Sequence, residues 1–379
     1  ILQGLFVTSG IIPVFLIARK YGFSKIHSAL ISAIYALYPA FTGGCTYDMH
    51  ENCMLTALIL WLIWAIEREK TIPIFVFALL TLTVKEDAAV YVAVIALYLL
   101  LSDRSKKIRK LSVFILAGAI VYFLCACLYL NSNGLGIMDW RYKEYIYSGG
   151  STLIPVIVTA FTNPGYILSN LFTDEKLGFT VQTLGVLGFI PLVSKKFARY
   201  ILLIPFVLVN LMPMYTYQHS IFFQYVFGSC SLLIWLFIMN LSELSYNKAR
   251  CFTIFSLIAC AVMFASTMSG LANNFYISDK ETKAAVIEYL EQLPDNENES
   301  ITANTFFISA LYKQKELYTI NDRDEPTNES APLSDIVLLD KNNAKFDVNY
   351  KYFISLGMKE TKIDNELVAK RVVRLEIKN

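Results

Sequence analysis

The sequence predicts a polytopic α-helical membrane protein of about ten spans in residues 1–270, followed by a small α/β domain in residues 271–379. Three observations predict it. The chain of 379 residues is 55% hydrophobic, with a mean hydropathy of +0.48 and only 17% charged residues, too apolar for a water-soluble fold. Long apolar runs recur at regular intervals up to residue 270 and then cease. Charge divides at the same place: residues 1–270 carry 19 Lys/Arg against 12 Asp/Glu, whereas residues 271–379 carry 14 against 19.

The apolar runs fall near 2–18, 27–44, 52–66, 71–84, 88–101, 111–130, 177–193, 199–213, 220–240 and 251–270. Loops on one side of this ladder (19–27, 67–70, 102–110, 194–199, 241–250) hold 15 Lys/Arg. The other side, within the membrane part, holds Lys85, Arg141, Lys143 and Lys176. The positive-inside rule then places the first set in the cytoplasm and the C-terminal domain outside it. The chain opens inside an apolar run, Ile1-Leu2-Gln3, so an earlier span and its external loop are expected to precede it.

Three runs, 52–66, 71–84 and 88–101, fall short of the roughly 20 residues a bilayer needs. Their missing length lies toward Tyr47-Asp48-Met49-His50-Glu51 and Lys85-Glu86-Asp87. An ionised group at membrane depth costs roughly 2.5–3.5 kcal/mol, so these charges are expected to pair or to line a wet cavity. Asp48, His50 and Glu51 form a group suited to general-base catalysis, to sugar hydroxyls, or to a divalent cation such as Mg or Mn held by Asp48 and His50. A solvated turn explains the same spacing equally well. Lys85-Glu86-Asp87 suits a phosphate held by Lys85 and oriented by a neighbouring carboxylate, or an intramembrane ion pair. His219, Gln224 and Tyr225, with Tyr215 and Tyr217, suit a sugar or headgroup, or an interfacial aromatic belt.

Between the sixth and seventh runs lies the long loop 131–176, with Trp140-Arg141-Tyr142-Lys143 and the apolar stretch 152–161, too short to span and expected to lie along the interface or re-enter the membrane, as a lid over a cavity or as a passive amphipathic segment. Arg141 is a further candidate for substrate binding. Of seven cysteines none lies beyond residue 260, so no disulfide framework holds the C-terminal domain; Cys45 and Cys53 flank one polar loop and would be able to pair in an oxidising compartment. In that domain a helix is expected near 280–293, strands at 300–303 and 336–339, and a hairpin near 359–377. No Walker loop, dinucleotide fingerprint or zinc spacing occurs, so no nucleotide is expected, and the acidic outer domain speaks against nucleic acid.

At Tyr47-Asp48-Met49-His50-Glu51, Thr81 through Ala89, Gln218-His219 through Gln224-Tyr225, and Val372-Val373-Arg374-Leu375, the sequence resembles a bacterial family of predicted membrane proteins, domain of unknown function 2079, grouped with the GT-C superfamily of lipid-dependent glycosyltransferases. The lysine segment is also similar to the Leu-Thr-Lys-Gly-Pro run of mannosyl- and aminoarabinose-type transferases, with Glu86-Asp87 in place of Gly-Pro. The resemblance implies a polyprenyl-phosphate-linked sugar donor, an envelope acceptor and a surrounding of membrane lipid. It implies that Asp48 and Glu51 occupy the second external loop, where the superfamily often carries an acidic group for metal or acceptor. The usual catalytic Asp of the superfamily would lie in the preceding external loop. On the residues alone two rivals stand beside a transferase: a transporter or lipid flippase using the same charges as a pathway, and a non-catalytic scaffold or receptor acting through its outer domain.

Overall fold

The structure is a computed structural model that describes residues 2–133, 138–145, 154–271, 279–293, 299–321 and 325–377. The chain divides into two compact units, Ile1–Met268 and Ser269–Asn379.

The described elements of the first unit are all helical. It begins with α1 (Leu2–Ser9) and α2 (Ile11–Lys20), which form one near-continuous rod. Then come α3 (Lys25–Leu37), capped at its start by the Ser24 hydroxyl, and the short α4 (Pro39–Gly44). The break between α3 and α4 falls at Tyr38, whose extended backbone is what a residue before proline adopts. Apolar α5 (Cys53–Glu67), α6 (Thr71–Leu82) and α7 (Ala88–Leu101) follow, and then the 27-residue α8 (Lys106–Ser132).

A 3-10 segment, Met138–Tyr145, and two short helices, α9 (Ile154–Thr162) and α10 (Pro164–Leu171), lead to α11 (Asp174–Leu184). Of the apolar stretch expected along the interface, Thr152 and Leu153 lie outside the described residues; the rest forms α9. The run expected at 177–193 is not one helix. It breaks at Gly188 and Phe189, both left-handed, into short 3-10 turns. Phe197–Leu211 winds from 3-10 into π geometry. The fully buried α12 (Phe227–Leu241) and then α13 (Tyr246–Leu271) end the unit.

Among the described residues four stretches are long and apolar enough to cross a membrane: Leu2–Lys20, Lys106–Ser132, Gln224–Leu241 and Tyr246–Ser269. The shorter apolar helices are Cys53–Glu67, Thr71–Leu82, Ala88–Leu101 and Phe197–Leu211. Together these are eight apolar stretches among the described residues, two fewer than the ten spans expected from the sequence. α12 packs against α4, α5 and α7, and Trp235 and Phe237 are sealed in the core. By contrast α8 and α13 leave Phe114, Leu124, Leu128, Phe255, Ile258 and Val262 outward, as expected of helices at a lipid boundary.

The second unit contains α14 (Lys280–Glu291), β1 (Ser300–Ala303), α15 (Thr305–Ile308), β2 (Glu316–Thr319), β3 (Ile336–Asp340), α16 (Phe346–Ser355), β4 (Lys359–Thr361), α17 (Glu366–Ala369) and β5 (Val372–Glu376). The sheet order is β2-β1-β3-β5-β4; β1 runs parallel to β2 and β3, and β5 antiparallel to β3 and β4. Every residue of β3 is buried, as befits a central strand covered on both faces. The expected strands at 300–303 and 336–339 and the closing hairpin are present. β2, with mostly exposed residues, and α16 went unanticipated because Glu316-Leu317-Tyr318-Thr319 carries little apolar signal.

Candidate functional site

The polar turn 45–52 is held from two sides. Gln3, buried in α1, donates through Nε2 to the Gly44 carbonyl at 2.9 Å and accepts the His50 backbone N–H at 3.0 Å. Gly43 lies against the backbone of residue 221, where an added Cβ would meet the Ile221 carbonyl oxygen at 2.6 Å. The glycine is thus required by the close approach of two backbones.

Within this turn His50 Nδ1 stands 3.5 Å from Glu51 Oε2, and Lys85 Nζ stands 3.4 Å from Glu51 Oε1. Glu51 thus joins the first predicted cluster to the second. Asp48 is exposed and makes no hydrogen bond or ion pair among the described residues. Lys85 is the more enclosed partner, its side chain 16% accessible against 44% for Glu51.

Asp87 precedes α7 but does not cap it; its Oδ1 is buried without a hydrogen-bond partner among the described residues. It lies in the turn between α6 and α7, within electrostatic range of Lys85, Glu86, Arg141 and Glu51. Burial pushes its carboxyl up to about 6, with Lys85 and Arg141 opposing and Glu86 and Glu51 adding to the rise. Glu51 moves the other way. Burial raises it, but its own backbone N–H, Lys85 and His50 outweigh that and leave it below the ordinary value. Two carboxyls in one cluster are therefore shifted in opposite directions, Glu51 downward and Asp87 upward. Glu86 is also within electrostatic range of Tyr122 and Cys127 on α8, and so reaches toward that helix.

Arg141, in the 3-10 segment Met138–Tyr145, donates from Nη2 to the Tyr225 hydroxyl at 3.2 Å and lies 5.0 Å and 4.9 Å over the rings of Tyr215 and Tyr225. From there an aromatic chain returns to the starting turn. Tyr215 meets Tyr217 (4.9 Å between centroids), Tyr217 meets Phe223 (4.3 Å), Phe223 meets Tyr47 (4.8 Å), and Tyr47 stacks on His50 (6.2 Å). Contacts run from Arg141 through Tyr215, Tyr217, Phe223, Tyr47, His50 and Glu51 to Lys85, and Asp87, within electrostatic range of both Lys85 and Arg141, stands between the two ends of this open ring. Charged groups form one side of this ring and aromatic faces the other, a combination suited to a phosphate and a sugar.

Segment 215–225 owes its position to Asn210, buried in the π turn Phe206–Leu211. Its amide donates to the Gln218 and Tyr225 carbonyls at 2.8 and 3.1 Å, and its oxygen accepts from Ser229. A lone Asn in an apolar run was the available signal. Gln224 is buried with its Oε1 unmatched among the described residues. His219 is buried and points to Glu175 at 3.4 Å, with burial the main cause of a lowered pKa. Beside it lies Lys176, 2% exposed, whose Nζ donates to the Asn170 carbonyl at 2.8 Å. His219 thus belongs to a neighbouring group with Glu175 and Lys176 rather than to the ring itself.

Cys45 and Cys53 are free thiols, as are the other five cysteines. Among the described residues no group of three or more His, Cys, Asp or Glu side chains is arranged to hold a metal ion. The donors near Asp48 fit a resident divalent cation poorly, because Glu51 already faces the Lys85 ammonium and only Asp48 and His50 remain.

Residues 1–352 match the family described as "Predicted membrane protein (DUF2079)". The chain belongs to that family. Its members are membrane proteins by description, and the apolar helices agree with this. A search of curated proteins finds no match. Among solved structures, that of ArnT from Cupriavidus metallidurans in the apo state is similar at 11% identity, with a TM-score of 0.48, covering 98% of this chain and 82% of that one.

Proposed function

We propose that this family member is a GT-C-type membrane glycosyltransferase. It takes sugar from a polyprenyl-phosphate donor at the outer face of the bacterial cytoplasmic membrane and passes it to an envelope acceptor, with the C-terminal domain on that same side. The observation that carries the reading is the open ring itself: the Glu51–Lys85 pair and Asp87, with Arg141 and four aromatic side chains. The few Lys/Arg in the loops of that end support the orientation.

In this reading Lys85 exchanges Glu51 for the donor phosphate, with Arg141 as second cation. An acceptor hydroxyl oxygen attacks the anomeric carbon and its proton passes to the Asp87 carboxylate, while the bond from that carbon to the phosphate oxygen breaks. The departing polyprenyl phosphate carries the electron pair, and Lys85 and Arg141 hold its charge. The aromatic arc of Tyr47, Tyr217 and Phe223 faces the sugar. Asp48, which is exposed, meets the acceptor, and transfer in this reading requires no divalent cation.

The test is transfer of labelled sugar from polyprenyl phosphate by purified full-length protein, comparing wild type with Lys85→Ala and Asp87→Asn. Loss in both variants is expected. Equal turnover in all three, or uptake of substrate into proteoliposomes without covalent product, would overturn the assignment.

A further inference from the structure

α5 runs from the ring end at Cys53 to Glu67, and α7 from Ala88 to Leu101, so the far ends of both helices meet at the opposite end of the unit. There a half-open cavity of about 490 Å³ is lined by Tyr21, Glu67, Asp103, Arg104, Lys196 and Arg199, among others.

Its walls are fixed by paired charges. Glu67 accepts from Arg104 Nη1 and Nη2 at 3.1 and 2.7 Å and from the Tyr21 hydroxyl at 2.7 Å, which fills both carboxylate oxygens. Arg199 donates to Asn240 Oδ1 at 2.7 Å and to Glu243 at 2.6 Å. Two donors remain. Arg199 Nε is buried with no hydrogen-bond partner among the described residues, although the side chain is only 5% accessible. Lys196 is 66% accessible and only 3.7 Å from Glu243, a pair too exposed to occupy it fully. Leu101 and Phe197 line the cavity and are exposed.

We propose that this cavity binds the phosphate of a phospholipid headgroup, with Arg199 Nε and Lys196 as donors and the acyl chains along the apolar rim. A polar cavity of headgroup size among membrane helices, with an unmet buried guanidinium N–H, is the chemistry that recognises such a group. Asp103 lines the same cavity and opposes the anion, so it sets an upper bound on affinity. The inference stands independently of the transferase reading, because no residue is shared between the two sites.

The experiment uses the full chain, delipidated in detergent, and measures by native mass spectrometry what it retains of phosphatidylglycerol and of diacylglycerol, with inorganic phosphate as competitor. Preferential retention of phosphatidylglycerol is expected, falling about fivefold in Lys196→Gln and rising severalfold in Asp103→Asn. Both positions are exposed, so neither change threatens the fold. Displacement by millimolar inorganic phosphate would support a site that reads phosphate alone; retention despite phosphate would support the lipid-borne group. Equal retention of the two lipids, or variants indistinguishable from wild type, would overturn the proposal.

Discussion

Helix α5 has a glutamate near each end, and both face a cation, but the two pairs are built differently. At one end Glu67 is buried, bidentate with Arg104 and bonded to Tyr21. At the other Glu51 is half exposed and reaches Lys85 at 3.4 Å, with His50 at 3.5 Å and Asp87 close by with an unmet oxygen. The first arrangement satisfies its charges and fixes helices in place. The second leaves them incompletely satisfied, and a loosely held Lys85 is free to change partners. The same residue types thus serve structure or chemistry according to how completely they are paired.

Breaking the tight pair is expected to have the largest effect on the protein. Arg104→Ala leaves Glu67 and Tyr21 in a dry site without their cation and should cost about 3–5 kcal/mol of stability, read as a fall in melting temperature in detergent. Lys85→Ala should do the reverse: little change in melting temperature, but a loss of transfer on the order of 100-fold or more. A large stability loss in Lys85→Ala would erase the contrast between the two ends.

Asp87 sharpens it further. Its carboxyl is raised to about 6 in the folded state, above the unfolded value, so the protonated form stabilises the fold. That stabilisation is fully present below the unfolded value, near pH 4, and is lost as pH rises through about 6. Transfer should instead rise through about pH 6 as the base ionises. Asp87→Asn is therefore expected to flatten the acid limb, cut transfer about 10- to 100-fold, and raise the melting temperature above pH 6. Smallest of all, Asp48→Asn and chelation of divalent cations should each change transfer by less than about twofold, measured beside the same wild-type preparation.

The membrane unit, the two polar clusters and the strands of the C-terminal domain were legible because each leaves a local pattern. Long apolar runs mark helices, charges beside them mark a buried cost, and short runs rich in β-branched and apolar residues mark strands. What joined the clusters was not legible. Nothing in the spacing distinguishes Glu51 from Asp48 as the partner of Lys85; that choice follows from how Gln3 and Gly43 position the turn. Asn210 and Lys176 are single polar residues at helix positions where sequence offers no partner, since theirs are backbone carbonyls. His219 was grouped with Tyr225 by proximity along the chain, yet its side chain turns to Glu175.

At Gly43 two main chains touch with no side chain between them. The span between the acidic turn and the tyrosine-rich segment is therefore set by backbone alone. Exchanging Tyr47, Tyr217 or Phe223 would alter the aromatic faces beside the turn while leaving that close backbone approach in place.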